Sequence, residues 1–132
     1  MKRIVILSLL ALAACHGGHG DSLAYLNGYA GRSPAAAGIW DTEPLHTKLK
    51  DITGDRYDQF VKYMKASGPL TQDKYLYAIA PVDSGFAYIL IDTKTSKIAA
   101  AIYTKAAIEN FQEPGESFTT PAGVQGQLDS LK

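Results

Sequence analysis

Between residues 74 and 111 four runs rich in aromatic and β-branched residues follow at close spacing: "KYLYAIA", "FAYILID", "KIAAAIY" and "AAIENF". The segments between them, "PVDSG", "TKTS" and Thr104-Lys105, have turn composition. Parallel pairing needs a connection of a dozen residues or more, so strands this close can join only as an antiparallel meander. A four-stranded antiparallel sheet is therefore the expected centre of the fold. Such a sheet needs at least one face covered by other elements.

The covering elements are signalled on both sides. "DTEPLHTKLKDITG" offers Thr42 as N-cap, Pro44 in the first turn and Gly54 as a stop, with Leu45, Leu49 and Ile52 on one stripe. "DRYDQFVKYMKASGP" starts a second helix at Asp55, with Tyr57, Phe60, Val61 and Met64 inward, Lys62 and Lys65 outward, and Gly68-Pro69 at its end. A short helix over residues 22–26 precedes an irregular segment whose Trp40 packs on the core. After the sheet, Thr120 caps a last helix with Pro121 at its first position and Val124, Leu128 and Leu131 at helical spacing, weakened by two glycines. The reading is an α+β domain: N-terminal helices, a four-stranded meander, and a C-terminal helix.

The N-terminus points to a location. Lys2 and Arg3 precede an apolar run over residues 4–12, then Ala13, Ala14 and the lone cysteine, Cys15. Nine residues make only about 13 Å of helix, against a hydrocarbon core of roughly 30 Å. The segment reads as a signal peptide rather than a membrane span. Leu12-Ala13-Ala14-Cys15 resembles the bacterial lipobox. That resemblance implies cleavage before Cys15 and acylation of its sulfur, with two or more fatty-acyl chains giving a stable anchor. Residue 16 is His rather than Asp, which by resemblance to enterobacterial lipoproteins favours the outer membrane, facing the periplasm. The expected organisation is a signal peptide over residues 1–14, lipidated Cys15 with a Gly-rich tether over 15–22, and one domain over 23–132.

With Cys15 acylated no thiol remains, so disulfides and thiol catalysis are excluded. The full chain has zero formal charge, and loss of Lys2 and Arg3 leaves 11 basic against 13 acidic residues. A balance so near neutral gives no electrostatic reason to expect nucleic acid as partner. His16 and His19 flank two glycines in the tether and read as spacer, because a zinc or copper site needs more ligands and a supporting shell. The "HGG" string lacks the preceding core strand and G-x-S-x-G elbow of a lipase oxyanion hole. Ser84 has Asp83 beside it but no histidine in the strand region to act as base. Asp83-Ser84-Gly85 reads as turn chemistry, and Asp92 as a turn initiator. Asp51, Asp55 and Asp58 fall around a helix junction, where capping explains them. Tyr75, Tyr77, Tyr88 and Tyr103, four of the eight tyrosines, fall in the expected strands and read mainly as half-buried packing, with some available for protein contact. No catalytic set, metal site or cofactor is expected.

One longer stretch carries a family resemblance. "LKDITGDRYDQFVKYMKASGPL" followed by "YLYAIAPVDSGFAYILIDTKTSKIAAAI" resembles the Ivy family of periplasmic lysozyme inhibitors. The matching pieces are Gly54, Tyr57, Phe60, Pro69, Tyr75, the loop over residues 81–85, Asp92, Lys97 and Ile98. The resemblance implies that Pro81, Val82, Asp83, Ser84 and Gly85 form the partner-contact loop and that the partner is a cell-wall hydrolase. The family's loop carries a disulfide-braced Cys-Lys-Pro-His-x-Cys type sequence; here neither cysteine nor histidine stands in it. The expected function is a lipid-anchored, periplasm-facing binding protein that blocks a peptidoglycan-degrading enzyme, as a lysozyme inhibitor or a toxin-immunity lipoprotein. The alternative is a structural or assembly lipoprotein that binds another envelope protein without inhibiting anything.

Overall fold

Alternating apolar residues drive the sheet, and the computed structural model of the chain places them in five antiparallel strands in sequential order. It describes residues 22–113 and 118–130. Cys15, His16, His19, the tether and Leu131 lie outside the described residues. The strands are β1 (Thr71–Gln72), β2 (Leu76–Val82), β3 (Gly85–Asp92), β4 (Lys97–Thr104) and β5 (Ile108–Gln112). The mixed helix-and-sheet class and the meander are as expected; the strand count of four is corrected to five. The additional strand is β1, two exposed residues pairing Thr71 with Tyr77 and Gln72 with Leu76. So short a strand has no alternation of its own to mark it.

The helical cover comprises α1 (Pro34–Ala37), α2 (Leu45–Thr53), α3 (Tyr57–Met64) and, after the sheet, α4 (Ala122–Ser130). All four expected helix starts are displaced, the last by one residue: α4 begins at Ala122, with Pro121 just before it rather than at its first position. The first helical turn is a 3₁₀ helix over Ala24–Tyr29 rather than residues 22–26. α2 begins after Pro44, because the Thr42 hydroxyl is taken: it donates to Ile39 O at 2.6 Å and meets the Tyr25 hydroxyl at 2.7 Å. Glu43 instead accepts from Thr47 N at 3.1 Å, and the Thr47 hydroxyl, followed by this amide, lowers its pKa. Asp55 falls inside a 3₁₀ turn over Gly54–Arg56, so α3 starts at Tyr57, and it closes at Met64, short of Gly68. Gly54 does stop α2, at φ 54° and ψ −124°, a conformation only glycine takes easily.

The strand register sorts the side chains onto two faces. One face, with Leu76, Ala78, Ile89, Ile91, Ile98 and Ile102, packs beneath Leu23, Leu26, Trp40, Leu45, Leu49, Phe60 and Met64. Small residues at Ala78, Ala80, Ala87 and Ala100 let the helices sit close to the sheet. Arg56 joins the layers at the edge, its Nε and Nη2 donating to the two Glu109 oxygens at 2.7 and 2.8 Å. The guanidinium holds the Glu109 carboxyl below its usual range.

The opposite face carries a smaller core of Phe86, Tyr88, Leu90, Ala99, Ala101 and Val124. α4 lies on it close enough that a β-carbon on Gly123 would meet the Tyr77 hydroxyl at 2.5 Å. Hence one of the two glycines that weaken this helix is there for packing. Tyr75, expected in a strand, precedes β2 instead; its hydroxyl accepts from Thr119 N at 3.3 Å, and its ring meets Phe118 edge-on. Burial, with the Tyr103 phenol beside it, pushes the Tyr88 hydroxyl from 10.0 up to about 12. A phenol so raised favours the fold fully below pH 10 and loses that contribution as pH rises towards 12. Tyr88→Phe is expected to flatten this alkaline fall, read as the unfolding midpoint in denaturant across the same range. An unchanged slope would show that Tyr88 ionises as it does in the unfolded chain.

Candidate functional site: the β2–β3 hairpin

Residues 81–85 form the tip of the β2–β3 hairpin. Pro81 faces Phe86 and Val82 faces Gly85 across the ladder, so pairing continues until only Asp83 and Ser84 remain as the turn. Pro81, Asp83 and Ser84 are exposed, Gly85 is half-buried, and Val82 packs partly against the main core. Ser84 takes φ 60°, the left-handed conformation that closes so tight a turn. Gly85 is needed for space: a β-carbon there would run into the Tyr103 carbonyl oxygen and lie 2.8 Å from Thr104 Cα on β4. Of the five residues, then, Asp83 and Ser84 supply the projecting chemistry. Val82 and Gly85 set their position.

The register reveals a row that sequence reading missed. Pro81, Phe86, Tyr103 and Ile108 stand opposite one another across β2, β3, β4 and β5 on one face of the sheet. Phe86 stacks on Tyr103 with centroids 5.6 Å apart and on Tyr88 at 5.9 Å. Ile108, 61% exposed, is the exposed large hydrophobic among the described residues. The row places an apolar shoulder beside the polar tip. Its signal lay in the three short connections, which fix the pairing once the strand ends are known.

The expectation that the strand tyrosines mainly pack agrees with the burial of Tyr75 and Tyr88, while Tyr77 and Tyr103 are half-buried. Asp92 accepts from Lys94 N and Thr95 N, as a turn initiator does. Ser84 has no histidine near it: among the described residues His46 stands on α2, within the helical layer. No described helix is long and apolar enough to cross a membrane. Nor do three or more His, Cys, Asp or Glu side chains gather among the described residues in a way that could hold a metal ion.

A hairpin tip presented by two helices, a five-stranded meander and a closing helix is the layout of residues 44–132. Over that same span the chain matches the family described as inhibitor of vertebrate lysozyme (Ivy). It belongs to the Ivy family. No curated protein and no solved structure matches the chain. Within the Ivy domain lie α2, α3, the whole sheet and α4, while the 3₁₀ turn over Ala24–Tyr29 and α1 precede it. Membership supports a lysozyme-inhibitor-like function, and an inhibitor acts by occupying its target rather than by chemistry of its own.

Proposed function

We propose that this Ivy-family chain is a lipid-anchored, periplasm-facing inhibitor of a peptidoglycan-degrading enzyme, with Asp83 and Ser84 entering the enzyme's cleft. The observation that carries the reading is the family match over residues 44–132. Anchoring rests on the lipobox-like Leu12-Ala13-Ala14-Cys15. The family resemblance implies a cysteine-braced histidine loop at this position, and this chain carries neither residue there. Strand pairing up to Val82 and Gly85 takes the place of the brace, because a tip already ordered loses little further entropy on binding. Asp83 then offers a carboxylate, and Ser84 a hydroxyl, to hydrogen-bond donors in the cleft. The apolar row from Pro81 to Ile108 would cover the cleft's rim.

The test is lysis of a cell-wall suspension by a vertebrate lysozyme and by other peptidoglycan hydrolases, with the purified chain added. Inhibition of at least one enzyme is expected, and Asp83→Ala with Ser84→Ala should weaken it by about tenfold to a hundredfold. A folded protein that inhibits none of them would overturn the reading in favour of an envelope-assembly lipoprotein.

A further inference from the structure

A second concave surface lies in the helical layer, away from the hairpin. It is a groove of about 800 Å³ bordered by Trp40, His46 and Tyr57, with Asp41 and Asp58 and with Val61, Lys62 and Lys65. That volume falls within the range of small-ligand sites. We propose that the groove binds a short zwitterionic peptide of two or three residues, its ammonium end at Asp41 and Asp58 and its carboxylate end at Lys62 and Lys65.

The charge arrangement carries the inference. Asp58, Val61, Lys62 and Lys65 recur at i, i+3, i+4 and i+7, so they line one face of α3 and the turn that follows it. An acidic residue four positions before a lysine ordinarily pairs with it on a helix surface. Here the ion pairs among the described residues are Lys48–Glu113, Arg56–Glu109 and Lys97–Glu113. Asp41, Asp58, Lys62 and Lys65 take part in none of them. The groove thus keeps a negative end and a positive end, both available.

The spacing suits a peptide of that length. Four to seven residues of helix separate the two ends by about 6–10 Å. Two or three extended residues span about 7–11 Å, whereas a single amino acid falls short. At the acidic end stands a polar wall. The Tyr57 hydroxyl meets His46 Nδ1 at 2.8 Å, and His46 Nδ1 lies 3.1 Å from Trp40 O. The two rings pack edge to face. Asp41 and Asp58 act on the same hydroxyl: after burial, their negative charges are the next causes raising the Tyr57 pKa. The acidic end therefore adjoins the His46–Tyr57 pair, and an ammonium there would meet both carboxylates beside the Tyr57 hydroxyl. Val61 and Ala35 supply the apolar wall against which short side chains would rest.

The experiment titrates the full chain in detergent with four probes: L-Ala-L-Ala, D-Ala-D-Ala, N-acetyl-L-Ala-L-Ala and L-Ala-L-Ala amide. Trp40, the chain's single tryptophan, borders the groove and reports by fluorescence; backbone amide shifts report on α3. A zwitterionic dipeptide is expected to saturate both signals at millimolar concentration. Blocking either end should weaken binding about tenfold or more. Asp58→Asn should abolish the preference for a free amine, and Lys62→Met the preference for a free carboxylate. Both positions are exposed, so the variants retain the fold. Tighter binding of the D,D isomer would mark a cell-wall peptide as the source, and of the L,L isomer a protein fragment. Capped peptides binding as well as free ones, or no response from Trp40 and α3, would overturn the proposal. The lysis assay reads the hairpin separately, so either reading can fail alone.

Discussion

Phe60→Ala is expected to lower the unfolding free energy by about 3–5 kcal/mol. The side chain is fully buried on α3 and meets Phe111 of β5 edge-on, with centroids 6.5 Å apart. It thus joins the helical layer to the last strand of the sheet. Truncation removes its transfer free energy and leaves a cavity between two layers that cannot close independently, because α2 and α3 share the same core. A domain of this size has roughly 5–15 kcal/mol in total. The variant should therefore unfold at a temperature at least about 10 °C lower, or fail to accumulate. Ile108→Ala is the matched control: at 61% exposure it should change stability by less than about 0.5 kcal/mol. Equal losses in the two variants, by chemical denaturation, would contradict the packing described.

Gly85→Ala should cost about 2–3 kcal/mol, although it adds a single methyl group. Most glycine-to-alanine changes fail through backbone conformation, but this one fails through collision. Gly85 pairs with Val82 on one side and Thr104 on the other, and its α-carbon faces the backbone of β4, where the Tyr103 carbonyl already occupies the space. Backbone cannot move aside as a side chain can. The strands must separate at the hairpin, and the tip loses its fixed position. Inhibition should fall further than the stability loss alone explains, since the ordering of Asp83 and Ser84 is lost as well. Gly68→Ala serves as the comparison: nothing lies within 4 Å of its added carbon, and it should be near neutral in both assays. A Gly85→Ala variant as stable as Gly68→Ala would show that β3 and β4 lie further apart at that point.

Much of this fold was legible because its signals are local and repeated. The stripe Tyr57, Phe60, Val61, Met64 and the runs that became β2, β3 and β4 each repeat one period several times, so a misplaced end does not change the element. Single-residue signals fared differently. Thr42 has the chemistry of an N-cap, but the packed chain uses its hydroxyl for Ile39 O and Tyr25. Asp55 likewise fell within a 3₁₀ turn. A cap is decided by which partner arrives first, and partners distant in sequence are invisible to it. β1 exists only because β2 offers it an edge. The apolar row beside the hairpin and the charged groove around Trp40 are products of register and of helix rotation, which no run of residues displays. The hairpin itself was visible as a turn. That Gly85 serves close approach rather than turn geometry needed the neighbouring strand.

The first described residues are fastened to a definite place. Leu23 N donates to Ser96 Oγ at 2.9 Å, and Thr93 Oγ1 to Asn27 Oδ1 at 3.0 Å, so the start of the domain is tied to the β3–β4 turn. That turn and the Asp83–Ser84 tip lie at opposite ends of β3, about 24 Å apart along eight extended residues. Under the proposed acylation of Cys15, the anchor would join the domain nearer the β3–β4 turn than the hairpin tip. Residues 15–22 can extend at most about 25 Å. The tip would sweep a shell within roughly 50 Å of the bilayer, like a short boom fixed at its heel.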